Sequence, residues 1–373
     1  MNRTGMQWSL LWTARDSEWL RAEHEAFERS DDRVRLADAV AGMVATTAPV
    51  AVGLAVGRPQ VGLVVGLGGL NVALAMGAGR PRTRAPWGLL TMILGALATA
   101  LATLVHPIAW LSVGLTFLVV GLASLGRIRG REGTLVGFVV SAVFVITNGL
   151  SGEATEALAR GSEFLLGGAL ALALMMLAGL ADPVRSAAVG NGGPPNGPAG
   201  RSDLRHVIES LRESMTGAPE VVRHAIIIAA TVASTTVLYR ALGLEFGYWI
   251  PLTALAVLQP DSHASRVRLI QRASGTAVGV LVVLAIVATS ASNPVLVVAI
   301  AVVSFGLFAL RERSYHWLVT LLTPTALLMI STVGFDGDDI VVERIVDTAI
   351  GLSVALVVIG VTSRLHRRRS GGG

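Results

Sequence analysis

The sequence predicts an all-α polytopic membrane protein of about twelve transmembrane helices, built as two parallel six-helix repeats around a pseudo-two-fold axis along the membrane normal. Three observations predict it. Hydrophobic residues make up 53% of the chain and charged residues 15%, too little polar surface for a soluble domain of this length. Apolar runs of roughly 17–25 residues, the length a bilayer asks of a helix, recur from end to end. Hydrocarbon offers backbone groups no water, so such runs pair internally as helices. The third observation is that the second half of the chain repeats the first.

Residues 1–33 come first, with Trp8, Leu11, Trp12, Trp19 and Leu20 set among Arg and Glu. They suit an interfacial amphipathic helix anchored by Trp, or a solvated cytoplasmic lead-in. No short apolar core with a small-residue cleavage site marks a secretory signal. The first repeat, 34–182, holds expected spans at 37–56, 60–78, 87–105, 107–125, 133–150 and 162–181. Residues 183–220 are too rich in Gly, Pro and Asn to build a core, and are expected to form a cytoplasmic linker with a short polar helix near Arg205–Ser214. The second repeat, 221–363, holds spans at 222–242, 247–260, 272–292, 294–310, 315–333 and 340–362, and a basic cytoplasmic tail, 364–373, follows.

Arginine sets the orientation. It gathers in the N-terminal segment, "GRPRTRA", "GRIRGRE", the linker, "SRVRLIQR", "RERS" and "RLHRRR", whereas the alternate loops are nearly free of it. That alternation puts both termini in the cytoplasm of a multi-pass protein of the plasma (inner) membrane. The net charge of +5 follows from these loops and implies no nucleic-acid partner.

The duplication is visible residue by residue. "VRLADAVAGMVATTAPV" from Val34 aligns with "VRHAIIIAATVASTTVL" from Val222; Arg84 falls on Arg272 and His106-Pro107 on Asn293-Pro294. Arg-x-x-Glu/Asp-x-x-x-Gly opens the last span of each half, as Arg160/Glu163 and Arg344/Asp347. Each repeat has an even number of spans, so both enter the membrane the same way up, with a cleft or pore expected on the shared axis.

Several chemistries are excluded. The chain has no Cys, hence no disulfide, thiolate metal site or cysteine nucleophile. It has no G-x-x-x-x-G-K-[ST] or H-E-x-x-H, and its seven His are scattered, so no enzyme, no cofactor and no metal is expected. "GLVVGLGGL" lies within a span, where small residues serve packing.

The stretch "YWIPLTALAVLQP" from Tyr248, followed by R-x-R-x-x-x-R-x-x-G-T-x-x-G through Gly279, resembles the fusaric acid resistance (FUSC) family of aromatic acid exporters. "YHWLVTLLTPTALLM" and "RIVDTAIGLSVALVV" resemble that family's last segments. The likeness covers most of Val222–Val361; the first half is more diverged, with "LNVALAM" where the second has the "LQP" break. The resemblance implies efflux of aromatic or other organic acids, driven by the proton gradient. The plant aluminium-activated malate channels are similar to one half and imply basic side chains along an anion path. Many family members carry a large cytoplasmic domain between or after the halves, where a linker and a short tail are expected in this sequence.

The residues suited to such work are few. Arg84 and Arg272, expected at the cytoplasmic start of each third span, can meet a carboxylate with a planar fork or hold lipid phosphate. Arg160/Glu163 and Arg344/Asp347 share a helix face at i, i+3, as an ion-paired clasp or as an intramembrane functional pair; Glu163 and Asp347 are proton-coupling candidates. At the break, Gln259 would face a cavity, with Asp261 and His263 titrating there, or else the three mark an ordinary helix end. Asn71 lies at the matching depth of the first half. The expected function is export of organic acid anions. An anion channel, a carrier of the major facilitator type and a non-transport scaffold in envelope biosynthesis are the alternatives. The expected partners are lipid bilayer, small organic anion and either a homo-oligomer or an envelope protein.

Overall fold

The computed structural model describes residues 22, 25–26, 34–77, 81–150, 152–180, 218–287, 292–334 and 337–370. The proposed Trp-anchored segment, the linker helix near Arg205–Ser214 and the last residues of the tail lie outside these. Twelve α-helices are described: α1 Leu36–Ala55, α2 Pro59–Ala75, α3 Pro81–Val105, α4 Ala109–Ser124, α5 Gly130–Gly149, α6 Ala157–Leu180, α7 Pro219–Leu242, α8 Trp249–Val257, α9 Ser262–Val287, α10 Asn293–Leu310, α11 Tyr315–Ser331 and α12 Gly337–Ser370. Short 3₁₀ turns at Leu125–Arg129 and Ala154–Glu156 lead into α5 and α6.

Local sequence explains the boundaries. Pro59, Pro219 and Pro294 stand in the first turns of α2, α7 and α10, where the missing N–H costs nothing. Gly243, at φ 65°, takes the left-handed turn that ends α7. Helix α8 is only nine residues, because Leu258 turns extended ahead of the Gln259-Pro260 break.

By length and composition, eight segments can cross a membrane, and two shorter apolar helices, Pro59–Ala75 and Tyr315–Ser331, accompany them. One segment, Ala109–Gly149, has 41 residues, about 60 Å of helix against roughly 30 Å of hydrocarbon. It is folded in two. Ser112 donates to the Asn148 side chain at 2.8 Å, a Cβ at Gly137 would lie 2.0 Å from the Ala123 carbonyl oxygen, and Gly130, at φ 81°, turns the corner. Helices α4 and α5 are therefore an antiparallel pair.

Three expected boundaries are corrected. Helices α3 and α9 begin well before 87 and 272, so Arg84 and Arg272 sit inside helices rather than at their starts. Helix α12 runs 34 residues to Ser370, absorbing the expected tail. In each case hydropathy marks only the apolar length of a helix that continues into polar residues.

Within residues 36–180, α1 packs on α2, α2 on α3 and α6, α3 on α5 and α6, and α4 on α5. Within 219–370, α7 packs on α8, α8 on α9 and α12, α9 on α11 and α12, and α10 on α11. The two sets meet where α1 lies on α10, α4 on α7 and α5 on α8. Outward faces carry large apolar side chains such as Leu97, Leu166, Leu281, Val302 and Val357, exposed on spanning segments as contact with acyl chains requires.

Candidate functional site

The break after α8 is a capped helix junction. All nine residues of α8 are buried. The Asp261 carboxylate accepts from the Ala264 amide at 2.8 Å, and Ser265 Oγ accepts from the Gln259 amide at 2.9 Å, satisfying donors at the start of α9. Asp261 is exposed, and His263 Nε2 meets the Glu25 carboxylate at 2.8 Å on the partly exposed surface. Gln259 reaches the other half: its Oε1 accepts from Arg127 Nη2 at 3.4 Å.

The matched arginines have different surroundings. Arg84 is 3% exposed and grips the Asp38 carboxylate with both prongs, at 2.9 and 3.1 Å, while also donating to the Met175 carbonyl. In the second half Ile226 occupies the position aligned with Asp38. Arg272, 4% exposed, has no ion pair within 4.0 Å among the described residues, and its Nε has no acceptor there.

The i, i+3 pairs do not close on themselves. Arg160 reaches back to Glu156 at 2.9 Å rather than forward to Glu163. Arg344, 1% exposed, does not ion-pair with Asp347, 2% exposed. Its guanidinium lies flat over the Trp249 indole, 3.9 Å from the ring centroid, which a cation–π attraction favours in a dehydrated setting. Arg344 Nε and Nη1 and Asp347 Oδ2 have no hydrogen-bond partner among the described residues. Arg272 lies within electrostatic reach of Arg344.

Around this group the unpartnered polar atoms multiply. Tyr248 Oη, at the N-cap of α8, and Trp249 Nε1, at its start, lack partners among the described residues; their rings pack 5.0 Å apart. Threonines sharpen the pattern. Thr46, Thr103, Thr116, Thr231, Thr236 and Thr325 each donate to the carbonyl four residues back, the usual refuge of a helical hydroxyl. Thr99, Thr253, Thr276, Thr320, Thr323 and Thr348 do not, and find no partner among the described residues. Thr99 is on α3; the other five sit on α8, α9, α11 and α12, which pack on one another. A buried polar group without a partner costs about 1–3 kcal/mol. Five of them on one set of packed helices give that part of the interior a polar character.

The corresponding first-half helices, α2, α3, α5 and α6, border a small, partly open pocket. Asn71, Thr99, Thr147 and Arg160 line it among apolar neighbours. Asn71 Nδ2 donates to its own helix, to the Leu67 carbonyl at 2.9 Å, so this pocket has fewer free groups than its counterpart. Asn71 and Arg160 are thus brought together, as are Arg272, Arg344 and Asp347; Arg84, Gln259, Asp261 and His263 are not in either group.

Sequence reasoning missed Tyr248, Trp249 and the threonines, because an aromatic pair and scattered Thr in an apolar run look like packing. It also missed Arg127 and Arg311. Arg311 Nη1 donates to the Ala73 carbonyl at 2.6 Å across the halves, as Arg127 does to Gln259. Their equal distance from the repeat's landmarks, 127 to 311 matching 160 to 344, was the available signal.

Residues 232–358 match the family model described as fusaric acid resistance protein-like. An uncharacterised protein, ORF2, of Neisseria gonorrhoeae is 32% identical over 158 residues, 42% of this chain and 37% of that protein. The inner membrane protein YccS of Escherichia coli K12 is 30% identical over 164 residues, 43% of this chain and 22% of that one. The uncharacterised E. coli protein YhfK is 22% identical over 149 residues, covering 40% and 21%. The matched region spans well under two thirds of these relatives. No solved structure matches the chain.

Proposed function

Through residues 232–358 the chain belongs to the fusaric acid resistance protein-like family of membrane proteins, and from that premise we propose that it exports aromatic or other organic acid anions across the inner membrane, driven by the proton gradient. One observation carries the proposal: Arg344, fully buried and in no ion pair among the described residues, lies over the Trp249 indole within electrostatic reach of a second buried guanidinium, Arg272. An organic carboxylate supplies the charge and the acceptors that this group lacks. Asp347 and Glu163 are the groups to exchange a proton with that anion.

The proposal includes twelve spans in two parallel repeats, 34–182 and 221–363, joined by a cytoplasmic linker, 183–220, with both termini cytoplasmic. Six pairings recur with each helix number raised by six: α1–α2, α2–α3, α2–α6, α3–α5, α3–α6 and α4–α5 become α7–α8, α8–α9, α8–α12, α9–α11, α9–α12 and α10–α11. The junctions α1–α10 and α4–α7 exchange under the same rule. Close contacts agree. A Cβ at Gly167 would meet the Val65 carbonyl, and one at Gly351 would meet Thr253, the aligned residue.

Because the chain has no Cys, introduced pairs test this cleanly. Gly121→Cys with Ala229→Cys brings Cβ atoms to 3.4 Å, near the spacing of a disulfide. Thr47→Cys with Ser304→Cys joins α1 to α10, where the two hydroxyls are 3.3 Å apart. With a protease site inserted in 183–217, each oxidised pair is expected to hold the cleaved halves as one band on a non-reducing gel. Two half-size bands would refute the arrangement. In a carrier, either cross-link stops efflux and reduction restores it; efflux that continues through the locked protein identifies a channel.

A further inference from the structure

We propose that Asp347 sets the charge of the anion this protein accepts, selecting a monocarboxylate over a dicarboxylate of the same size. The inference rests on the anion site proposed above. The fully buried charges of that site are Arg272 on α9 and Arg344 and Asp347 on α12, all at least nine-tenths buried. Tyr248, just before α8, and Trp249 at its start are neutral, and α11 brings the neutral Tyr315 within electrostatic reach of Arg344. Glu343, half-buried one residue before Arg344, is engaged at the rim, accepting from the Phe246 amide at 3.2 Å.

Two guanidiniums against one carboxylate leave the interior one positive charge in excess. A monocarboxylate cancels it. A second carboxylate carries the interior past neutrality to a net negative charge and stands against Asp347, and like charges brought together out of water cost several kcal/mol. Asp347 Oδ2 has no hydrogen-bond partner among the described residues, which leaves that oxygen open toward a ligand. Deprotonated, Asp347 acts as a repulsive element, the part of a binding site that rejects the wrong ligand. Replacing it with an amide of the same shape raises the excess to two and turns the preference over.

Calorimetry on the purified full-length protein in detergent at pH 8, with benzoate and phthalate as probes, tests this. The wild type is expected to bind benzoate at least about tenfold more tightly than phthalate. Asp347→Asn is expected to reverse that order, and Asp347→Glu to keep it. Asp347→Ser gives a second neutral variant should the amide fail to purify. A wild type that prefers phthalate, or neutral variants that keep the benzoate preference, would overturn the selector, as would the absence of binding by either anion. Charge-selective binding without proton-driven efflux would leave the selector standing and remove the exporter.

Discussion

Arg344→Gln abolishes efflux of an organic acid from loaded vesicles while leaving the protein at least as stable as the wild type. Both halves of that expectation come from the same geometry. A charge-assisted hydrogen bond to a carboxylate contributes about 1.5–3 kcal/mol, so its loss lowers anion affinity by about 10- to 150-fold. Yet in the protein itself Arg344 pairs with no carboxylate, and two of its nitrogens have no acceptor among the described residues. Removing a desolvated, uncompensated cation relieves a cost rather than breaking a bond. Arg84→Gln is expected to do the opposite. It strands Asp38, buried and held by both prongs of the guanidinium, and breaking such a pair costs about 3–5 kcal/mol. Thermal melts and efflux assays on the two variants separate them. A loss of melting temperature in Arg344→Gln equal to that of Arg84→Gln would make Arg344 a structural clasp.

Gly167→Leu is expected to yield little folded protein, with no help from transport conditions. A Cβ there would lie 1.8 Å from the Val65 carbonyl oxygen, so α6 must withdraw from α2 and carry with it Phe164, whose carbonyl oxygen stands 2.2 Å from where a Cβ at Gly68 would lie. The obstacle is backbone, which cannot rotate away as a side chain would. Overpacking of ordinary cores costs about 1–3 kcal/mol, and parting two helices over several turns exceeds that. Gly114→Leu is the control, since a Cβ at Gly114 meets nothing within 4 Å. Size-exclusion profiles of the two variants decide the matter; similar monodisperse yields would contradict the close approach.

The all-helical membrane character was readable because a bilayer imposes one rule, a long apolar run paired with itself, and eight described segments are long and apolar enough to cross one. Helix α8 could be placed too, since Pro260 shortens it wherever its neighbours lie. The pairing of charges was not readable. Sequence spacing puts Arg160 beside Glu163 and Arg344 beside Asp347, but a guanidinium on a long stem chooses among all partners in reach, and Glu156 and the Trp249 indole prevail. Asp38, forty-six residues from Arg84, is visible only once α1 and α3 stand together. The unsatisfied threonines escape the sequence entirely, because Thr253 and Thr236 differ only in whether the hydroxyl turns back to its own helix.

The account comes down to whether a carboxylate lies against Arg344 inside the second half. An experimental structure of the protein with 4-bromobenzoate, its bromine located by anomalous scattering, asks this directly. The expected result places the carboxylate within hydrogen-bond distance of Arg344, among Trp249, Arg272 and Thr348. Bromine found only elsewhere, with the Arg344 guanidinium turned out toward lipid, would contradict it.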